Sequence, residues 1–244
     1  SLSGGAHFVT AEKVLESIPE GISRVGLVGA EVGHHPELEE LTKALVERGL
    51  GVSLSSLRAD RLGERVLKNL VCGGLKSLTV AADGASERIR RELKKGVTAE
   101  DLKRAATLAR SAGIKKLKVY QLVGVPGETP DDWEEMHQLA LELAEHLPVE
   151  LSFSCLVPKP GTPLHSAPVA PAGTLKKRIR ELKRKLRGRV RLKEPALRWV
   201  EVEWRLAHGT LESGRVLLET VDAGGSVTAL KKALRKIQPV SLST

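Results

Sequence analysis

The sequence predicts an α/β fold in which a parallel sheet is covered by helices, and three observations predict it. Short apolar runs recur along the first two-thirds of the 244 residues. Each is followed by a longer stretch with apolar residues at helical spacing. Glycines and capping residues mark the joins. Strands joined by helical crossovers run parallel, because each helix carries the chain back to the edge from which the previous strand started. An open doubly wound sheet and part of a (β/α) barrel both satisfy this pattern, and in both the ligand lies at the carboxyl ends of the strands.

The first strand falls at 25–29, ahead of a helix over 36–48 with Leu38, Leu41 and Leu45 on one face and Gly49 as its stop. A strand at 52–55 and a helix over 60–71 follow, then a strand at 78–81 and a helix over 86–95. Thr98 caps a helix over 98–112 with acids in its first turn, and Gly113 ends it. The strand at 117–123 leads to a helix over 129–146 with Pro130 in its first turn. Residues 149–157 form the last clear strand. Beyond them Pro158, Pro160, Pro163, Pro168 and Pro171 make an extended connection. A basic helix (173–187, with its charge running on to 193) and three short helices over 196–207, 211–221 and 227–236 form an appended tail, docked by Trp199 and Trp204. The predicted organisation is a linker remnant over 1–9, the sheet and its helices over 10–164, and the connection, basic helix and tail over 165–244.

Composition narrows the function. Hydrophobic residues make up 41% and charged residues 28%, which is globular rather than disordered. No run approaches eighteen apolar residues, which excludes a membrane-spanning helix. The only cysteines, Cys72 and Cys155, are not at metal-ligand spacing. They form no disulfide framework, so a reducing, cytoplasmic setting is expected. The net charge of +9 is concentrated between Lys176 and Lys193, where Glu181 is the sole acid.

The strand exits hold the candidate site. The first runs into Gly29, Ala30 and Glu31, small residues beside a carboxylate suited to a cationic group. His34 and His35 follow and are read as packing residues, because adjacent histidines rarely face one ion. At the third exit Asp83 offers two acceptor oxygens to a pair of sugar hydroxyls, and Ser86 suits a helix cap. The fourth exit is Gly124, Val125, Pro126, Gly127 and Glu128, a turn able to lie along a planar ligand or to serve as any tight turn. The fifth passes through Val157 and Pro158.

Together these segments resemble the radical S-adenosylmethionine superfamily, in particular its methylthiotransferase-like and cobalamin-linked branch. The run from Gly29 to Leu38 looks like the Gly-Gly-Glu motif with its trailing His-Pro-Glu-Leu. The runs from Val123 to Thr129 and from Leu156 to Pro163 resemble the motifs at the fifth and sixth barrel strands. Ser55 to Asp60 and Ser86 to Arg88 also resemble that branch. The resemblance implies a partial (β/α) TIM-type barrel of about five parallel strands, helices outside, and a helical tail. It implies S-adenosylmethionine as cofactor: Gly29, Ala30 and Glu31 at the methionine amino group, Asp83 and Ser86 at the ribose, and Arg88 at the methionine carboxylate. Gly124, Pro126, Gly127 and Glu128 would lie along the adenine, with Val157 closing that edge.

Two departures qualify what the resemblance implies. Ala30 stands where the motif has its second glycine. The C-x-x-x-C-x-x-C loop that holds a [4Fe-4S] cluster is absent from this sequence. The chain is therefore expected to be catalytically incomplete: either a fragment, with the cluster belonging only to the complete protein, or a natural relative that has lost the chemistry. The fragment is favoured because the first barrel strand is missing too; family analogy leaves room for an upstream cobalamin-binding domain. No catalytic or metal-binding residue is assigned, and the substrate is not legible. The alternative is a nucleic-acid module binding RNA through residues 174–193, although Leu175, Ile179, Leu182 and Leu186 also fit a solvated amphipathic helix. An unrelated barrel acting on phosphorylated molecules ranks lower, since the turn from Gly124 to Gly127 offers few free amides. A partial barrel with an open edge also suits a homodimer.

Overall fold

The computed structural model describes residues 7–29 and 32–237. Seven strands lie in it: β1 (Arg24–Leu27), β2 (Gly51–Leu54), β3 (Leu57–Arg58), β4 (Ser77–Ala81), β5 (Lys116–Val123), β6 (Val149–Cys155) and β7 (Val190–Lys193). The helices are α1 (Ala11–Glu16), α2 (Leu38–Glu47), α3 (Glu64–Cys72), α4 (Glu87–Glu92), α5 (Ala99–Ala112), α6 (Pro130–Ala144), α7 (Ala172–Lys185), α8 (Leu197–Ala207), α9 (Leu211–Asp222) and α10 (Val227–Leu234).

All strand pairs are parallel. β1 pairs with β2, and a second sheet runs β3-β4-β5-β6-β7. Only Ser55 and Ser56 separate β2 from β3, so one chain segment passes from the first sheet into the second. Spatial order therefore follows chain order without reversal. A doubly wound sheet needs a reversal to place helices on both faces. Without one, successive right-handed crossovers keep the helices on a single face, as in a barrel. The sheet is thus part of a (β/α) barrel.

The apolar core lies on that face, and only β6 is buried on both faces, through Glu150 and Ser152. Along β5, Leu117, Val119 and Val123 enter the core while Lys118 and Tyr120 point the other way. Leu78 and Val80 of β4 and Leu151 and Phe153 of β6 join the same layer, against Leu67, Leu70, Leu102, Met136 and Leu143 of the helices. Helix ends are satisfied locally. A capping box joins Thr98 to Asp101, and Gly113 closes α5 in the left-handed conformation.

The C-terminal part differs from the sequence expectation. The basic segment is not helical throughout: α7 ends at Lys185, and β7 then pairs with β6 from Val149 opposite Val190 to Ser152 opposite Lys193. Leu175, Ile179, Leu182, Leu186 and Val190 belong to the main core. α7 and β7 therefore form one more crossover unit of the sheet. Trp199 is 41% exposed and does not dock the tail; Val200 and Val202 are the buried residues of α8. Val202, Leu230 and Leu234 form a small core of their own.

Candidate cofactor site at the strand exits

The β1 exit shapes the first side of the site. Ala30 and Glu31 lie outside the described residues; Gly29 precedes them and is exposed. After a short 3-10 turn, Val32–His34, the His-Pro-Glu-Leu segment anchors the chain before α1. The His35 Nδ1 accepts the Glu37 N–H at 3.1 Å, which leaves Nε2 to donate to the Val9 carbonyl at 2.7 Å. Glu37 accepts the Ala11 N–H at 2.6 Å, a carboxylate at the start of α1 where the helix dipole favours it.

The β4 exit carries Asp83. Its φ of +56° is left-handed, unusual for a residue with a Cβ. Local bonding supports it, because the N–H groups of Ala82 and Asp83 both donate to the Tyr120 carbonyl. The Asp83 side chain, 33% exposed, lies 3.1 Å from the Lys95 Nζ. It lines a polar cavity of about 190 Å³ together with Gly33, Ser56, Arg58 and Lys95. Arg58 is held by Asp60 through two 3.0 Å bonds and donates to the Lys95 carbonyl.

Ser86 and Arg88, at the start of α4, are joined to the β5 exit by Asp132 in the first turn of α6. The Ser86 hydroxyl donates to Asp132 Oδ1 at 2.5 Å and accepts the Ile89 N–H. Arg88 donates from Nη2 to Asp132 Oδ2 at 2.6 Å and to the Gly127 carbonyl at 3.0 Å, and from Nη1 to Glu92. Asp132 also accepts from the Thr129 N–H and hydroxyl. Burial by itself would raise the Asp132 carboxyl, but the bonds from Arg88, Ser86 and Thr129 prevail and hold it at about 2. A ligand carboxylate at Arg88 must therefore compete with Asp132.

The β5 exit folds on itself. Glu128 accepts the Val125 N–H at 3.1 Å and the Trp133 indole N–H at 3.2 Å, and Arg178 of α7 lies 3.7 Å away. Burial pushes this carboxyl above its ordinary value, against those donors and Arg178. Gly124 and Gly127 are left-handed, with φ of +79° and +81°. A Cβ on Gly124 would lie 3.0 Å from the Ala170 Cβ and 3.3 Å from Leu175, so this glycine is also where the segment entering α7 closes on the sheet. Gly124→Ala is expected to destabilise the chain by about 1–3 kcal/mol through handedness and overpacking, checked by denaturant unfolding. Gly127→Ala, with nothing within 4 Å, carries the handedness cost alone. Pro126 lies between the two glycines at this exit. Val157, at the β6 exit, lines an apolar cavity of about 370 Å³ with Leu93, Leu156, Pro158, Pro163 and Leu164.

α7 exposes Lys176, Lys177, Arg180 and Arg184, while Lys183 pairs with Glu194 and Lys185 with Glu134. No aromatic side chain interleaves these exposed cations along the helix.

A parallel partial barrel whose exit loops gather a carboxylate, a polar cavity and a glycine turn defines a protein of the (β/α) barrel class that takes its ligand at the carboxyl ends of the strands. A family model for the Radical SAM superfamily matches residues 3–140, more than half of the chain, and the chain belongs to that superfamily. It is 36% identical over 142 residues to an uncharacterized protein of Methanocaldococcus jannaschii, a match covering 58% of this chain and 31% of the relative. It is 26% identical over 133 residues to an uncharacterized methyltransferase of Pyrococcus horikoshii, covering 54% of this chain and 28% of that relative. The chain thus matches less than a third of the length of either.

The superfamily works with S-adenosylmethionine and a [4Fe-4S] cluster. The cysteines here do not fit a cluster, which takes neighbouring thiolates. Cys72 ends α3 beside the start of β2, where Gly73 accepts the Val52 N–H, whereas Cys155 ends β6, an inner strand of the other sheet. Burial, then Glu128 and Glu203, push the Cys155 thiol up to about 11, away from the thiolate a metal needs. The acceptor at Asp83 does suit the hydroxyls of a nucleoside: a carboxylate one-third exposed in a polar cavity, paired there with Lys95.

Among the described residues no helix is long and apolar enough to cross a membrane.

Proposed function

We propose that this chain is the S-adenosylmethionine-binding portion of a radical enzyme in the methylthiotransferase-like and cobalamin-linked branch. The observation that carries this reading is Asp83, held left-handed at the β4 exit with its carboxylate in a polar cavity. When bound, S-adenosylmethionine supplies the reactive group of such enzymes; the residues here bind and orient it. Gly29, Ala30 and Glu31 meet its amino group and Asp83 its ribose hydroxyls. The turn from Gly124 to Glu128 and the backbone near Val157 bound its adenine. Ser86 and Arg88, committed to Asp132, keep the β4 and β5 exits in register. The methyltransferase description of the Pyrococcus horikoshii relative is consistent with a ligand of this kind, though the shared stretch is a minor part of that protein.

Calorimetric titration of S-adenosylmethionine into the chain tests this. Binding is expected, weakened about tenfold by Asp83→Asn and by Glu31→Gln, since each removes one charged acceptor from a cationic or hydroxyl donor. No binding by the unaltered chain, or binding that both variants leave intact, would sink the assignment.

A further inference from the structure

The sheet face turned away from the helices carries charge that neither the core nor the cofactor site uses. Parallel register sets its side chains in rows. Thr79, Lys118, Glu150 and Arg191 stand side by side across β4, β5, β6 and β7, and one step further along are Ala81, Tyr120, Ser152 and Lys193. Glu150 is the only carboxylate on this face of those four strands. It lies 3.5 Å from both the Lys116 Nζ and the Arg191 Nε, with only 9% of its side chain exposed. Lys118 and Lys193 make no ion pair among the described residues. Tyr120, next to Lys118 on this face of β5 and in the same row as Lys193, is 44% exposed.

Neighbouring strands are about 4.8 Å apart and alternate residues of one strand about 6.6 Å apart. Lys118 therefore stands about 6.6 Å from Tyr120 along β5, and Lys193 about 9.6 Å from it across two strands with Ser152 between, so both lysine side chains reach the space beside the ring. One partly neutralised carboxylate against four cations leaves the face cationic, and an occupant must be anionic to complement it. Two unpaired ammonium groups on separate strands suit a dianion better than a single carboxylate. The ring offers a flat apolar surface beside that charge.

We propose that this face receives the substrate of the enzyme inferred above, and that the substrate is an organic phosphate carrying a ring: phosphate between Lys118 and Lys193, ring against Tyr120. The substrate role rests on the cofactor reading; the anion site does not.

The test is calorimetric titration of phenyl phosphate at low salt, with S-adenosylhomocysteine titrated into the same samples. Phenyl phosphate is expected to bind, and the double variant Lys118→Ala/Lys193→Ala to lose at least about tenfold in affinity. Glu150→Gln is expected to gain affinity, since it releases Lys116 and Arg191. Lys176→Ala/Lys177→Ala, on the outer face of α7, is expected to change nothing. The proposal is overturned if phenyl phosphate does not bind, or if the α7 variant loses as much as the inner pair. Phenol binding as tightly as phenyl phosphate would overturn it too, and tighter binding of a hexaglutamate peptide would do so in favour of an acidic polypeptide. Failure of S-adenosylhomocysteine alone, with the phenyl phosphate pattern intact, removes the cofactor reading and leaves the anion site standing.

Discussion

Asp132→Asn is expected to lower the thermal unfolding midpoint at pH 7 by roughly 4–8 °C, the shift that about 2 kcal/mol produces in a chain of this size. The carboxylate accepts from Ser86, Arg88 and Thr129 and is almost wholly buried, with 5% of its side chain exposed. Its asparagine replacement keeps the shape but turns one acceptor into a donor facing donors. The pH dependence follows from linkage. Folding lowers this group from 3.8 to about 2, so its stabilisation is complete above the unfolded value and disappears as pH falls from about 4 to 2. The gap in midpoint between the unaltered chain and Asp132→Asn should therefore close over that interval. A gap that is absent at pH 7, or that persists unchanged at pH 2, would show that the bridge between the two exits contributes nothing through its charge. Arg88→Ala should cost less, because Arg88 is 45% exposed and its loss leaves Asp132 with its other donors.

A variant ending at Leu164 is expected not to fold cooperatively, whereas one ending at Glu194 should. The first removes Leu175, Ile179, Leu182, Leu186 and Val190 from the main core. At about 1.5–3 kcal/mol for each buried side chain, their loss is on the order of 10 kcal/mol. That is comparable to the whole stability of a typical domain. It also strips β6 of its outer neighbour. The second variant loses α8, α9 and α10, which carry the separate small core of Val202, Leu230 and Leu234 and reach the main core only through the partly buried Leu197. Circular dichroism melting and gel filtration distinguish the cases. A sharp melt and monomeric elution of the shorter variant would mean that α7 and β7 are an appendage after all.

Much of this arrangement is readable in the residues. The alternation of strands with helices is, and so are local signals that act within a few positions: the caps at Thr98 and Thr129, the stop at Gly113, and the glycine pair at the β5 exit. β7 is hidden for a physical reason. Val190 continues the spacing of Leu182 and Leu186, so four residues of strand read as another helical turn. Gly188, left-handed with φ of +78°, is the one local mark that the helix has ended. The Asp132 bridge is half legible. Its cap on Thr129 is local, but its partners Ser86 and Arg88 lie 46 and 44 positions away. The unequal faces of the sheet are visible afterwards in the alternation of Leu117, Lys118, Val119 and Tyr120, which an apolar average over the strand conceals.

The sequence by itself determined the parallel strand-helix order and the family-like motifs at the strand exits, because each rests on periodicity or on a run of neighbouring residues. Tertiary structure decided the rest. It put the crossover helices on one face, added β7 to the sheet, joined two exits through Asp132, and gathered Lys118, Tyr120, Glu150, Arg191 and Lys193 from three strands onto one surface. Those outcomes depend on pairings between residues tens of positions apart, which only strand register and core packing select.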